Sequence, residues 1–185
     1  RNKQATTITM PPSSSASKSN NNPEELQERE KLQAVLLADS FWNTFRPLDL
    51  DKSTPSKCLT PLNNVRLLDY ALQFLAGQSV EELFVVCTSD DVELALMMMQ
   101  NGDTSSQHNK FGRMQVTCIK DTSLTNAGDA LRELYKRNVV KSDPFLLLFG
   151  DVVTNMDLTE AMHAHKVRHE TDSSALMTLV LQPVG

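Results

Sequence analysis

Two short stretches carry side chains suited to phosphate chemistry. Gly150-Asp151 follows the apolar run FLLLF at 145–149. A carboxylate there either holds a hard cation through oxygen ligands or merely ends a buried strand, with Gly150 allowing a sharp turn. Lys57 sits in STPSKCLTPL between Pro55 and Pro61, which fix the backbone around it. Its ammonium either neutralises a phosphate or is simply solvated. A third stretch, Asp39-Ser40-Phe41-Trp42-Asn43-Thr44, follows the apolar run QAVLLA. A phosphate-cradling loop at such a place needs glycines, because its N–H groups must approach the anion closely. This one has none, and its Asp39 and Trp42 argue against tight anion binding. The aromatic rings are instead expected to fill the space under the loop. His165 and His169 stand one helical turn apart but lack an acidic third ligand at a recognised spacing, so they are read as a surface face and not as a metal site.

These residues matter only if the elements around them converge. From Gln33 onward, short apolar runs alternate with amphipathic ones. Strands are expected at 33–38, 83–89, 114–120, 145–151 and 175–184. Helices are expected at 66–77, where Leu67, Leu68, Ala71, Leu72 and Leu75 recur at helical spacing, and at 90–102 and 126–138. The third of these is expected to turn Leu131, Leu134 and Tyr135 inward. Asp157 and Glu160 have the spacing of a capping box for a fourth helix. Met97–Met99 are expected to be covered, on a helix wedged between the sheet and a neighbour.

Five strand and helix alternations predict an α/β fold, a three-layer, mostly parallel, doubly wound sheet. Ligands then bind beyond the carboxyl ends of the strands, which is where Asp39, Ser40 and Asp151 fall. Residues 1–30 read as a disordered arm, since the opening RNKQATTITMPPSSSASKSNNNPE offers almost no large apolar side chain to bury. Residues 31–185 read as the folded domain. The chain opens on Arg1 and stops at Gly185 after a strand-like run, so both ends are expected to be cuts in a longer polypeptide.

With 40% hydrophobic and 22% charged residues among 185, the composition is that of one ordinary soluble domain. The net charge of −5, with no long basic run, weighs against a nucleic-acid surface. No apolar stretch is long enough to span a membrane. Three cysteines, Cys58, Cys87 and Cys118, make no disulfide framework and suit a reducing compartment, so a cytoplasmic location is expected.

Taken in order, the motifs resemble the sugar-nucleotide pyrophosphorylases of the nucleotidyltransferase family, over about residues 33–184. Members read LAGGxGTRLxPLT, then PKxLxPV, then PLIDYxLexL. The matching positions here are Pro47-Leu48, then Lys57 to Leu62, then Leu67-Leu68-Asp69-Tyr70. Asn126-Ala127-Gly128-Asp129-Ala130-Leu131 lies at the family's GTAxAL segment, and Gly150-Asp151 at its metal-binding GD. The departures are as specific. Asp39, Ser40 and Trp42 replace the loop glycines, Thr44 stands at the motif arginine, and Ser56 at the proline before the lysine. Of the residues the family uses for phosphate and metal, Lys57 and Asp151 remain.

Losing the glycine loop and its arginine removes the electrostatic stabilisation that usually dominates phosphoryl transfer. Asp39, Ser40, Lys57, Gly128 and Asp151 are therefore expected to be vestigial pocket positions, with no catalytic residue, metal or cofactor. QAVLLADSF, LLDYALQFL, GDALREL and FGDVVTNMDLTEAM are similar to one branch in which this erosion has occurred, the pyrophosphorylase-like subunits of the guanine-nucleotide exchange factor of translation initiation. That resemblance implies a scaffolding domain, with exchange activity in a C-terminal domain not contained here. Its implied partners are the gamma and other subunits of the complex, with initiation factor two as the G-protein substrate and no direct nucleic-acid contact. The alternative is a working transferase that makes a sugar nucleotide from a sugar phosphate and an NTP, using Lys57 and Asp151.

Overall fold

The computed structural model describes residues 6–7, 31–39, 56–101 and 112–181. Ser40, Trp42, Thr44, Pro47, Leu48, Pro55 and nearly all of the N-terminal arm lie outside the described residues. The chain divides into two compact units, residues 24–155 and the pair 1–23 with 156–185.

In the larger unit four parallel strands form one sheet: β2 (Gln33–Leu37), β5 (Glu82–Cys87), β6 (Gln115–Lys120) and β7 (Leu146–Phe149), in the order β6-β5-β2-β7. Val35 lies beside Phe84 on one side and Leu147 on the other. The central strands are buried on both faces, as their unbroken apolar runs predict. Helices α1 (Leu67–Gly77), α2 (Asp90–Asn101) and α3 (Ala127–Arg137) make the crossovers. The first two connections step one way across the sheet and the third runs back past β2. Right-handed crossovers therefore put α3 on the face opposite α1 and α2. Val35, Leu37, Phe84, Val86 and Ile119 pack with Ala130 and Leu134 of α3 on one side. On the other, Ala34, Leu36, Leu83, Val85 and Cys87 are buried, as are six residues of α1.

Local chemistry sets the ends of these elements. Asn126 caps α3, its side chain accepting from the Asp129 N–H at 2.9 Å, and Asn138 ends it in the left-handed region. β3 (Pro61–Leu62) and β4 (Val65–Arg66) form a hairpin whose two loop residues, Asn63 and Asn64, both have positive φ. This is the turn that matches strand twist and that Asn tolerates. At the amino end of the sheet, buried Gln33 donates to Glu82 at 2.7 Å and accepts from the Lys141 and Ser142 amides, fixing the lead-in to β7. Cys87 and Cys118 lie on adjacent strands with Sγ atoms 3.6 Å apart and unbridged.

Three expectations need correction besides that of a covered methionine run, whose Met97 and Met98 are 49% and 62% exposed. On α3, Leu134 is buried but Leu131 and Tyr135 point outward, Tyr135 with 86% of its surface exposed. The buried stripe runs through Ala130 and Leu134, one turn apart, which leaves positions 131 and 135 on the shoulder. Leu134→Ala is accordingly expected to cost roughly 2–5 kcal/mol in chemical denaturation. Tyr135→Ala should change stability by less than about 0.5 kcal/mol.

The second correction concerns the fifth strand. Among the described residues the 175–184 segment contributes only β8 (Thr178–Leu179), which pairs antiparallel with β1 (Thr6–Thr7) and belongs to the smaller unit. The apolar run is not evidence of burial, since Leu176 and Leu181 are exposed. The third concerns helix α4 (Thr159–Thr171), which begins two residues after Asp157 and has Leu158 at its cap, without a side-chain cap bond. Asp157 accepts instead from the amide and hydroxyl of Thr159, a local turn that competes with the capping box. On α4, His165 stacks on His169, and His165 Nδ1 lies 3.0 Å from Thr178 Oγ1.

Candidate functional site

The strand order reverses between β2 and β7, and the crevice beyond their carboxyl ends is the place where such sheets bind ligands. The ladder continues past the strands: Gly150 N–H donates to Leu37 C=O at 2.8 Å, and Ala38 N–H to Val86 C=O at 2.9 Å. Ala38, Asp39, Gly150 and Asp151 therefore leave the sheet side by side. A 3₁₀ turn, Lys57–Leu59, closes over them and places buried Cys58 against Gly150. A Cβ on Gly150 would lie 3.0 Å from Ala38 Cα, 3.0 Å from Ala38 O and 3.1 Å from Cys58 Cβ. Glycine is required here by close approach.

The Asp39 carboxylate is the hub of the crevice. Its Oδ1 accepts from Ser56 Oγ at 2.7 Å. Its Oδ2 accepts from Thr88 Oγ1 at 2.8 Å and from the Thr88 N–H. Ser56 Oγ also lies 2.8 Å from Ser89 Oγ. One carboxylate thus ties the end of β2 to the end of β5 and to the residue before the 3₁₀ turn. In doing so it takes a backbone N–H and two hydroxyls, donors of the kind a phosphate uses.

Two carboxylates act on the thiol beside this hub. Burial, and after it the negative charge of Asp39, pushes the Cys58 thiol up to about 12, with Asp151 adding a smaller push. Cys58 is thus a neutral thiol flanked by two carboxylates. Arg66, the nearby cation that works against this, is itself bonded by Asp69, with Nε to Oδ2 at 2.9 Å.

Lys57 is half-buried in the 3₁₀ turn, and Asp151 is half-buried after the turn at Gly150. Among the described residues, no group of three or more His, Cys, Asp or Glu side chains is placed to hold a metal.

The structure brings together Asp39, Lys57 and Asp151 of the expected positions, while Ser40 lies outside the described residues. Gly128 stands apart. It opens α3, which leaves the sheet from β6, the edge remote from β7. A Cβ there would lie 3.1 Å from Asn126 Oδ1, so this glycine leaves room for the helix cap. Thr88, Ser89 and the hydroxyl of Ser56 are the site residues that sequence reasoning missed. The available signal was the pair Thr88-Ser89 directly after the second strand, at the same level of the sheet as Asp39.

A family model described as Nucleotidyl transferase matches residues 21–184. The chain is 39% identical over 159 residues to the translation initiation factor eIF2B subunit epsilon of Dictyostelium discoideum, covering 86% of this chain and 21% of that protein. It is 36% identical over 173 residues to the Schizosaccharomyces pombe protein of the same description, covering 94% of this chain and 24% of that one. Mannose-1-phosphate guanylyltransferase 1 of Arabidopsis thaliana is 25% identical over 153 residues, 82% of this chain and 39% of its own length. The chain spans between a fifth and a quarter of the length of its two epsilon relatives.

Proposed function

The chain belongs to the nucleotidyl transferase family, and from that premise we propose that it is a degenerate, non-catalytic member. In this reading it serves as a pyrophosphorylase-like assembly domain within the epsilon subunit of the exchange factor of translation initiation. Similarity to two epsilon subunits supports a place in a translation initiation factor. The observation that carries the loss of transfer chemistry is the bonding of Asp39 to Ser56 and Thr88 at the strand ends. A group that has taken those donors for itself supports the fold and leaves them unavailable to a nucleotide.

Asp39, Ser40, Lys57, Gly128 and Asp151 are, in this reading, inherited pocket positions. Asp39 and Gly150 now hold the strand ends together. The domain pairs with the gamma subunit in the cytoplasm and helps to position the G protein initiation factor two. Guanine-nucleotide exchange resides elsewhere in the parent subunit.

Co-expression with the gamma subunit tests the assembly role. A complex that survives gel filtration is the expected result. A chain that elutes alone, although folded by circular dichroism, would contradict it.

A further inference from the structure

Cys87 and Cys118 belong to neighbouring parallel strands whose register sets Val85 beside Cys118 and Cys87 beside Lys120, so the two thiols are diagonal neighbours. Ile119 packs toward α3, and side chains alternate along a strand, so Cys118 points to the face covered by α2. The Sγ atoms of the pair lie 3.6 Å apart. Cys87 is buried. Cys118 is half-buried, on a strand that among the described residues pairs with β5 alone.

Their surroundings set the two thiols apart. The Cys87 thiol, hydrogen-bonded to the Cys118 sulfur, holds Cys118 below the ordinary thiol range against the opposing effect of burial, and the Lys120 ammonium adds a smaller push the same way. That same bond, and after it burial, pushes Cys87 up. Lys120 is anchored beside the pair by Glu93 at 2.9 Å and by Asp90, both on α2. A half-buried thiol with thiolate character is the one an oxidant reaches. A protonated, buried thiol in contact with it is placed to resolve the product.

We propose that Cys87 and Cys118 are a peroxide-responsive pair that closes to a reversible disulfide between β5 and β6. In the first step the Cys118 sulfur attacks hydrogen peroxide and the O–O bond breaks. Cys118 becomes a sulfenic acid, and the departing hydroxide leaves as water with the thiol proton. In the second step the Cys87 sulfur attacks the Cys118 sulfur, the S–S bond forms and the S–O bond breaks. The oxygen leaves as water with the Cys87 proton, so two thiols and one peroxide give one disulfide and two waters. The sulfurs must close to about 2.05 Å, a movement of roughly 1.5 Å. As an edge strand β6 can supply that movement, and the strain of a diagonal link keeps the bond easily reduced. Transient, redox-sensing disulfides are the kind that a reducing compartment permits.

The test exposes the 185-residue chain, at about 1 µM, to about 0.1 mM hydrogen peroxide, with alkylation in denaturant and peptide mass spectrometry to follow. The expected product is an intramolecular link between Cys87 and Cys118. Both thiols disappear at least about ten-fold faster than the buried Cys58, and about 5 mM reduced glutathione restores them. In Cys87→Ser, dimedone captures a sulfenic acid on Cys118, while Cys118→Ser yields none on Cys87. Loss no faster than that of Cys58, a link to Cys58 or to a second chain, a link that glutathione leaves intact, or sulfenic acid on Cys87 alone overturns the proposal. Far-UV circular dichroism of each variant separates loss of the pair from loss of fold. Mapping of the unsubstituted chain decides the matter even where Cys87→Ser fails to fold.

Discussion

Gly150→Val is expected to destabilise the domain by roughly 2–4 kcal/mol, the cost of forcing branched carbons into a packed site with no room to yield. A first Cβ would already sit 3.0 Å from both the Cα and the carbonyl oxygen of Ala38 and 3.1 Å from Cys58 Cβ. Two of those three atoms are backbone of the central strand's extension, held by the Ala38 bond to Val86. The 3₁₀ turn carrying Cys58 must therefore move, or the Gly150 bond to Leu37 must break. Urea denaturation read by far-UV circular dichroism checks this. Gly77→Val, at a helical glycine with nothing within 4 Å of its built Cβ, serves as the comparison and should change stability by less than about 0.5 kcal/mol. Equal losses at the two sites would show that close packing at Gly150 is not the cause.

Asp39→Ala is expected to cost roughly 2–3 kcal/mol. Hydrogen bonds to a charged acceptor contribute more than neutral ones, and removing the acceptor strands its partly buried donors. Three donors lose it together: Ser56 Oγ, Thr88 Oγ1 and the Thr88 N–H. The substitution has a second, independent signature. Asp39 is the largest cause after burial of the raised Cys58 pKa, so its removal lowers the pH at which the thiol ionises. The pH dependence of alkylation at Cys58 should therefore move toward neutrality in the variant. Asp39→Ala should not restore nucleotide transfer, because the loop that follows still lacks glycines and the motif arginine.

Hydrophobic periodicity was sufficient for the sheet and its three crossovers, because β2 and β5 are unbroken apolar runs and α1 repeats leucine at helical spacing. It failed where an apolar run is not buried, as at Leu176 and Leu181, and where the stripe on α3 had to be assigned to Leu131 and Tyr135 or to Ala130. Small alanines carry little periodic signal, yet one of them marks the buried side. The site was legible at Asp39, Lys57, Gly150 and Asp151, since strand ends in a doubly wound sheet are predictable. Its hydrogen bonding was not. Ser56 reaches Asp39 across 17 residues and Thr88 reaches it across 49, and contacts at that separation follow from the tertiary arrangement alone. The sequence alone sets Asp39 and Trp42 against tight anion binding; Trp42 lies outside the described residues, and the Asp39 carboxylate accepts from Ser56 and Thr88.

The central claim is that the strand-end crevice has been converted from a nucleotide site into a structural joint. Isothermal titration calorimetry of the chain with GTP, and separately with ATP, in excess magnesium tests it most directly. The account predicts no saturable heat, corresponding to dissociation constants weaker than about 1 mM. Micromolar binding of either nucleotide that is lost in Asp151→Ala would contradict it.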